Sequence, residues 1–346
     1  MNIEYTRRLE KIESVLNARL PHPVDPAWIA ESFSSLPDAI RPVHFSPLVE
    51  PCKDLMSRGG KRWRPLLMTL ACELAGGGDR AYPLVPLVEF PHTASLIHDD
   101  IEDGADERRG GAAIHIVWGE DTAINGASWL YFQALSIIDS FPSSDALKLS
   151  LYRTVSRELR RLHLGQAMDI HWHRNPSLIP SRSEYEAMVS MKTGTLSRLA
   201  GEIGMLAGGA GDEAAVEFGN IAARIGVGFQ IVDDVRNLTT GNPGKRRGDD
   251  VVEGKKSLPV LLHLERNPGD LSALTALFEA ARAGGVSDPS VERCIGLLES
   301  SGAIEAARAH GIDLIERSSA HFVSRYPGSP VAPLIQGLFA EMLKGL

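Results

Sequence analysis

The chain contains few cysteines, no long basic run and no long apolar run. Only three of its 346 residues are cysteine (Cys52, Cys72 and Cys294), too few and too scattered for a disulfide framework or a zinc site. A formal net charge of −8 without a basic run argues against nucleic-acid binding. No apolar stretch approaches the ~20 residues that a bilayer-spanning helix needs. Residues 1–5 lack the apolar core of a secretory signal. We therefore expect a cytoplasmic protein without a membrane span.

The sequence also lacks a convincing strand pattern. Apolar residues instead recur at spacings of three to four along most of the chain, and Gly or Pro interrupts the pattern at most joins. This pattern predicts an all-α protein, and the length of the chain allows one big domain or two smaller ones. If the two acid-rich helices described next face each other across the interior of a single large helical bundle, they would flank a central cavity. The predicted helices are 4–20, 27–34, 46–57, 63–75, 81–103, 120–139, 145–173, 182–208, 212–238, 256–264, 270–283, 290–323 and 331–345.

Two acid-rich segments about 130 residues apart each end a helical pattern, Ser95–Asp103 and Phe229–Asn237. In each, an Asp-Asp pair is followed three positions later by another oxygen ligand. Positions i and i+4 share a helix face, and two carboxylates ~6 Å apart repel by roughly 3 kcal/mol at an effective dielectric near 20. A solvated helix end is the alternative for either segment alone, although a helix C-terminus disfavours negative charge. Divalent cations that bridge to phosphate would offset the repulsion. The candidate metal ligands are Asp99, Asp100, Asp103, Asp233, Asp234 and Asn237.

Four basic groups accompany these acidic segments. Lys61 and Arg64 are three residues apart at a predicted helix start, so both can reach one anion. Any one group alone is typical of a solvated surface. Together they predict a site for two highly charged anions, one bound through metal and the other directly by Lys and Arg. The groups are Lys61 with Arg64, Arg108 with Arg109, Lys192, and the segment that contains Lys245 and Lys255.

Seven short motifs follow one another along the chain, and they are Gly60–Pro65, His92–Asp103, Arg108–Gly110, Gly165–Ile170, Lys192–Gly194, Phe229–Asp234 and Gly254–Pro259. One such motif would be weak evidence, whereas seven in order are very specific. On these motifs the chain resembles the trans-isoprenyl diphosphate synthases of the polyprenyl synthetase family, in particular the eukaryote-type geranylgeranyl diphosphate synthases. The resemblance implies one domain over 1–346, with an N-terminal helix and loop region (1–45), a catalytic core (46–264) and C-terminal helices (265–346).

The resemblance implies a Mg²⁺-dependent prenyltransferase and a homodimer. It would ionise an allylic diphosphate (dimethylallyl, geranyl or farnesyl) and condense the cation with isopentenyl diphosphate, and the released pyrophosphate can take the proton. The six oxygen ligands named above would hold three Mg²⁺ ions when substrate is bound. Thr193 and Gln230 would face the developing cation with their oxygens. The isopentenyl diphosphate would contact Lys61, Arg64, His92 and Arg109, and the allylic diphosphate would contact Arg108, Lys192, Lys245 and Lys255.

The same resemblance implies a twenty-carbon product. Ala94 and Ser95, just before the first Asp pair, are small, so the hydrocarbon tunnel would stay open below the metals. Tyr131, Phe132 and His163 match residues that form a deeper tunnel floor in the eukaryote-type subgroup, although Tyr131 and Phe132 are equally typical of core aromatics. Asn237 departs from the third Asp of most family members, and the subgroup shares this departure.

Other functions remain open at this point. A farnesyl or about twenty-five-carbon diphosphate synthase would share every motif. A class I terpene cyclase would share the acidic segments but has no reason to keep Lys61, Arg64 and His92. A non-catalytic subunit that binds prenyl diphosphates would be expected to show damage in the Asp pairs or in these basic residues, and all of them are intact.

Overall fold

The computed structural model describes residues 3–241 and 246–343, which are mostly helical and confirm the all-α prediction. Strands β1 (Glu107–Arg108) and β2 (Gly111–Ala112) form a two-residue antiparallel pair. Three 3-10 helices cover Pro42–Phe45, Gly78–Leu84 and Pro268–Asp270. The α-helices are α1 Ile3–Arg19, α2 Pro26–Phe33, α3 Ser46–Ser57, α4 Trp63–Leu74, α5 Pro86–Asp103, α6 Ile114–Trp118, α7 Glu120–Ser140, α8 Asp145–His173, α9 Arg182–Lys192, α10 Gly194–Gly208, α11 Asp212–Leu238, α12 Asp249–Glu253, α13 Leu258–Arg266, α14 Leu271–Gly284, α15 Pro289–Ser300, α16 Ala303–Arg325 and α17 Ala332–Glu341.

The chain divides into two compact units. Unit 1 comprises Met1–Arg157 and Leu199–Val216, and unit 2 comprises Glu158–Arg198 and Glu217–Leu346. The unit boundaries fall within α8, α10 and α11. The single domain over 1–346, with its divisions at residues 45 and 264, stays a prediction.

Unit 1 is built around α5, which packs against α7 and also contacts α1, α3 and α4. Apolar side chains such as Phe90 and Ile97 are fully buried along α5, and burial of one such side chain contributes about 1.5–3 kcal/mol. The last part of α10 lies against α4. This approach requires a residue without a side chain, because a Cβ at Gly208 would lie 2.7 Å from the carbonyl oxygen of Cys72.

Unit 2 has its own apolar core, in which the C-terminal half of α11 packs with α13 to α16. Ile231 and Val235 of α11 are fully buried in the same cluster as Leu258 of α13. Helices α11 and α16 approach closely at Gly228 and Gly311. A Cβ at Gly228 would lie 2.8 Å from the Gly311 carbonyl oxygen. The close packing of α11 against α16 therefore requires glycine at this position.

The three cysteines are free and buried, and burial raises the pKa of Cys52 and of Cys294 to about 12. They are packing residues of the core. Across residues 3–241 and 246–343, none of the helices combines the length and the apolar character that crossing a membrane requires.

Candidate active site

The first acidic segment lies at the C-terminal end of α5 in unit 1. The helix ends at Asp103 because Gly104 adopts a left-handed conformation with φ of 66°. Asp100 is fully buried, whereas Asp99 and Asp103 are partly exposed. Asp99 and Asp103 are one helical turn apart on the same face. The helix therefore ends in a set of hard oxygen donors, the donor type that Mg²⁺ prefers.

Arg108 brings a guanidinium group to this acidic segment. Its Nε donates a hydrogen bond to Asp100 Oδ1 at 2.7 Å, and its Nη2 contacts the same oxygen and lies 3.5 Å from Asp99 Oδ2. The short β1–β2 pair carries Arg108 at the end of β1. Because a buried carboxylate needs a charged partner, Arg108 stabilises the ionised form of Asp100. The structure thus brings together two predicted metal ligands and a residue predicted to contact the allylic diphosphate.

Unit 1 also contains an arginine cluster, formed by Arg62, Arg64 and Arg109 with Glu89 and His92. Arg62 Nη1 lies 2.6 Å from Glu89 Oε1, and Arg109 Nη2 lies 4.0 Å from the same oxygen. Burial, and next the positive charges of Arg64 and Arg109, lower the pKa of His92 well below its ordinary value. A neutral imidazole can donate one hydrogen bond to an anion held by the arginines. Three of the four residues predicted to bind isopentenyl diphosphate therefore interact in one place, and the fourth, Lys61, lies exposed just before α4.

A His92→Gln substitution is expected to change how stability depends on pH. The pKa of His92 in the folded state lies below its unfolded value of about 6.5, so the unfolded state binds more protons and wild-type stability falls as the pH drops through 6.5. Gln is neutral at every pH. Relative to wild type, the variant should gain about 1 kcal/mol in unfolding free energy on going from about pH 8 to pH 5.5. Urea unfolding at both pH values measures this, with the exposed His171→Gln as control, and an equal difference at both pH values contradicts it.

The second acidic segment lies near the C-terminal end of α11 in unit 2. Both oxygens of Asp234 accept hydrogen bonds, Oδ1 from Gln230 Nε2 at 2.8 Å and Oδ2 from the Tyr185 hydroxyl at 2.9 Å. Gln230 Oε1 in turn accepts a hydrogen bond from Thr193 Oγ1 at 2.9 Å. The amide of Gln230 is therefore held in one orientation. The structure brings together Thr193 and Gln230, the two residues predicted to face the developing cation.

The two aspartates of this segment have different surroundings. Asp234 is buried, and burial is the main reason why its pKa is raised to about 7; the charge of Asp250 raises it further. Asp233 is partly exposed. Both oxygens of Asp234 already hold Tyr185 and Gln230, so its geometry favours an orienting role. Asp233 and Asp234 both stay predictions as metal ligands.

Asn237 is fully buried, and its side-chain amide forms hydrogen bonds with the backbone of Arg246 and Asp250, which follow α11. Its Oδ1 accepts a hydrogen bond from the Asp250 backbone N–H at 3.1 Å, and its Nδ2 donates to the Arg246 carbonyl at 3.4 Å. The Gly248 N–H also donates to the Asn237 carbonyl at 2.9 Å. The metal-binding role of Asn237 stays a prediction. What its amide does in the structure is to hold the backbone at Arg246 and Asp250. Lys245 was predicted to contact the allylic diphosphate and lies outside the described residues.

The other predicted phosphate ligands of unit 2 lie beside carboxylates. Lys192 Nζ is 2.6 Å from Asp169 Oδ2. Lys255 Nζ is 2.5 Å from Glu253 Oε2 and 3.6 Å from Asp250 Oδ1. These carboxylates orient both ammonium groups, and a bound diphosphate would compete with them for the lysines.

The residues predicted to set chain length differ in exposure. Tyr131 is buried on α7, and its ring stacks on His98 of α5 with ring centres 5.9 Å apart. Burial, and next the charges of Glu102 and Asp99, raise the pKa of Tyr131. Phe132 is 71% exposed and faces outward from this chain. Tyr131 therefore lies near the first acidic segment, and Tyr131 and Phe132 both stay predictions as tunnel floor residues.

Three further residues were predicted to set chain length, and they are Ala94, Ser95 and His163. Ala94 is fully buried in α5, and Ser95 is partly buried with its hydroxyl donating to the His92 carbonyl at 2.8 Å. His163 is exposed on α8 in unit 2. All three stay predictions.

Three functional candidates were missed from the sequence. Tyr185 contacts Asp234, although the two are 49 residues apart. Arg62 and Glu89 form the centre of the arginine cluster. A signal for Glu89 was available, because a charged residue inside the apolar pattern of α5 sits three positions before His92 and shares its face. Tyr185 is a fully buried aromatic, which sequence alone does not distinguish from a packing residue.

The chain is similar to known prenyl synthases in sequence. The family model described as Polyprenyl synthetase matches residues 46–293. A geranylgeranyl diphosphate synthase of Methanosarcina mazei is 38% identical over 61% of this chain, and the match spans 66% of that protein, slightly less than two thirds. A geranylfarnesyl diphosphate synthase of Aeropyrum pernix is 32% identical over 79% of this chain and 86% of that protein.

The fold is similar to a solved structure over nearly the whole chain. A crystal structure of a geranylgeranyl pyrophosphate synthase superposes with a TM-score of 0.83 and covers 99% of both chains at 23% identity. This likeness shows that the two chains share a helical fold. With the family model matching well over half of its residues, the chain belongs to the polyprenyl synthetase family.

Proposed function

We propose that this protein is a Mg²⁺-dependent prenyltransferase that makes geranylgeranyl diphosphate from isopentenyl diphosphate and a shorter allylic diphosphate. The observation that carries the proposal is the layout of α5. The C-terminal end of α5 carries Asp99 and Asp100, which Arg108 of β1 contacts. Two helical turns earlier, α5 carries His92, which lies in the arginine cluster. One helix thus presents an acidic site suited to a metal-bound diphosphate and a cationic site suited to a metal-free one.

The donor set fits Mg²⁺, because the residues at both acidic segments offer carboxylate oxygens. In unit 1, Asp99 and Asp103 are partly exposed and would hold metal, and in unit 2 the partly exposed Asp233 would do the same. Among residues 3–241 and 246–343, no cluster of three or more His, Cys, Asp or Glu side chains is arranged to hold a metal without substrate. Substrate diphosphate oxygens would supply further ligands. When bound, Mg²⁺ supplies charge neutralisation that makes diphosphate a better leaving group. The proposed count is three ions.

The residues of the chain would orient and stabilise the charged groups. Arg108 of unit 1 is proposed to contact a diphosphate as a charge-assisted donor, and the same role is proposed for Lys192 and Lys255 of unit 2. The Thr193 hydroxyl donates a hydrogen bond to Gln230 Oε1, so the lone pairs of the Thr193 oxygen can face a carbocation. The two substrates are expected to bind at separate diphosphate sites, and the alkene of isopentenyl diphosphate would attack the cation.

Product length is proposed to depend on Tyr131. A Tyr131→Ala variant should lengthen the main product by at least one five-carbon unit, because removal of a buried ring opens space beside α5. Chromatography of the dephosphorylated products measures this. Leu149→Ala is the control, since Leu149 is a 50% exposed apolar residue of α8 that belongs neither to the predicted floor nor to the proposed dimer surface. Unchanged products from Tyr131→Ala would remove this residue from the tunnel floor.

A homodimer is part of the proposal. Phe132 and Ile124, 71% and 42% exposed, are two turns apart on one face of α7. A second copy of the chain would cover these apolar side chains. Light scattering of the purified protein tests the dimer.

The cytoplasmic location of the protein also stays a prediction.

Incubation of the purified chain with Mg²⁺, labelled isopentenyl diphosphate and each allylic primer tests the proposed function. Geranylgeranyl diphosphate as main product supports it. Farnesyl or twenty-five-carbon diphosphate would support a synthase of different length, and the similarity to a geranylfarnesyl synthase gives the longer product some weight. Turnover that needs no isopentenyl diphosphate favours a terpene cyclase. No turnover with any primer favours a non-catalytic prenyl-diphosphate-binding subunit.

A further inference from the structure

Arg62 is a buried arginine whose guanidinium makes three hydrogen bonds inside the protein. Its Nε donates to Glu13 Oε1 at 2.7 Å, Nη1 donates to Glu89 Oε1 at 2.6 Å, and Nη2 donates to the Met56 carbonyl at 2.6 Å. The backbone of Arg62 is left-handed, with φ of +46°, a conformation that bulky residues rarely adopt. These three contacts hold the strained residue in place. Arg62 therefore shapes the segment around it and is not placed to bind substrate.

The segment that Arg62 shapes carries two residues of the proposed isopentenyl-diphosphate site. Lys61 precedes Arg62 directly, and Arg64 follows two positions later. A change in the backbone at residue 62 would redirect both side chains, because each lies within two residues of the left-handed turn. The position of Lys61 and Arg64 thus depends on what anchors Arg62.

Glu89 links Arg62 to a further residue of the same site. Arg109 Nη2 lies 4.0 Å from the Glu89 oxygen that Arg62 contacts, and Arg109 Nη1 donates to the Leu55 carbonyl at 3.2 Å. Arg109 is also left-handed, with φ of +52°. One buried carboxylate is shared between two guanidinium groups, so the cluster keeps a positive excess that suits a diphosphate.

The second carboxylate comes from the N-terminal helix. Glu13 lies on α1, which is anchored in unit 1 where Arg8 donates to both oxygens of Glu73 at 2.9 and 2.7 Å. With Glu13 in place, Arg62 contacts two carboxylates, Glu13 and Glu89. Glu89 can then also interact with Arg109. Without Glu13, Arg62 would keep the Met56 carbonyl but have Glu89 as the one carboxylate among these contacts, and it would draw that carboxylate away from Arg109.

We infer that Glu13 is a positioning residue, through which α1 helps to place the residues that bind isopentenyl diphosphate. This inference rests on the proposed function. Glu13 acts through Arg62 and Glu89 on Lys61, Arg64 and Arg109, and it touches no substrate itself. The N-terminal helix thus sets affinity for one of the two substrates.

Steady-state kinetics of Glu13→Gln test the inference. Gln keeps the size of the side chain and removes the charge that pairs with Arg62. The KM for isopentenyl diphosphate should rise about fivefold to fiftyfold, with kcat and the KM for the allylic substrate within about twofold, because only the diphosphate ligands of one site are displaced. Glu13→Asp keeps the charge and should recover part of the affinity. Glu10→Gln, an exposed residue on the same helix, is the matched control and should behave as wild type.

Calorimetry with inorganic pyrophosphate and no Mg²⁺ separates this inference from the proposed function. Weaker pyrophosphate binding by Glu13→Gln than by Glu10→Gln supports the positioning role even if the wild-type chain shows no prenyl transfer. An unchanged KM for isopentenyl diphosphate together with unchanged pyrophosphate binding overturns it. Equal losses in both KM values and in thermal stability also overturn it, since they indicate a general folding role for α1.

Discussion

An Asp99→Asn enzyme is expected to lose at least about a thousandfold in kcat/KM for prenyl transfer while remaining folded. Asn has the shape of Asp but no charge, and a hard cation binds a neutral amide oxygen more weakly than a carboxylate. A loss of about 4 kcal/mol of transition-state stabilisation corresponds to this factor. Stability should change little, because Asp99 is partly exposed and its contact with Arg108 is long, at 3.5 Å.

Asp106→Asn is the matched control for this experiment. Asp106 is exposed, lies in the same stretch of chain and undergoes the same chemical change. Its activity should match wild type. A Mg²⁺ titration of both variants adds a second measurement, in which Asp99→Asn should need more metal for half-maximal turnover. Equal kcat/KM for the two variants would remove the first acidic segment from the metal site.

The helices were predictable because their apolar periodicity is long and regular, and the errors fell where a local residue breaks the pattern. The predicted helix 81–103 is a 3-10 helix followed by α5, since Pro86 has no N–H to continue a helix from the preceding turn. The predicted helix 290–323 is α15 and α16, separated where Gly302 takes a left-handed φ of 70°. Periodicity continues across both breaks, so it could not reveal them.

The candidate site was predictable where its residues lie close together in sequence. The acidic segment of α5 and Arg108 are within ten residues, and the structure places them in contact. Partners from distant elements were not predictable, because they depend on tertiary packing. Tyr185 on α9 contacts Asp234 on α11, and Glu13 on α1 contacts Arg62. Each looks like an ordinary core or surface residue when the sequence is considered alone.

Restoring the third Asp of most family members by Asn237→Asp is expected to destabilise this protein. Asn237 is fully buried, and its Nδ2 donates to the Arg246 carbonyl. A carboxylate has no donor for that carbonyl and would place a further negative charge near Asp250. We expect a loss of about 2–4 kcal/mol in unfolding free energy at pH 8, the cost of an uncompensated buried charge that remains partly hydrogen-bonded.

The dependence of this loss on pH identifies its cause. Burial would raise the pKa of the new carboxyl above its unfolded value, so the folded state binds the proton more tightly and the deficit should shrink as the pH falls toward about 5. A protonated Asp can also donate to the Arg246 carbonyl, as the amide does. Asn175→Asp is the control, because Asn175 also donates through Nδ2 to a carbonyl but is exposed. Urea unfolding at several pH values without Mg²⁺ measures both variants. A pH-independent deficit, or one equal to that of the control, would mean that the buried amide does not hold the segment after α11, whereas full stability with tighter Mg²⁺ binding would place residue 237 at the metal.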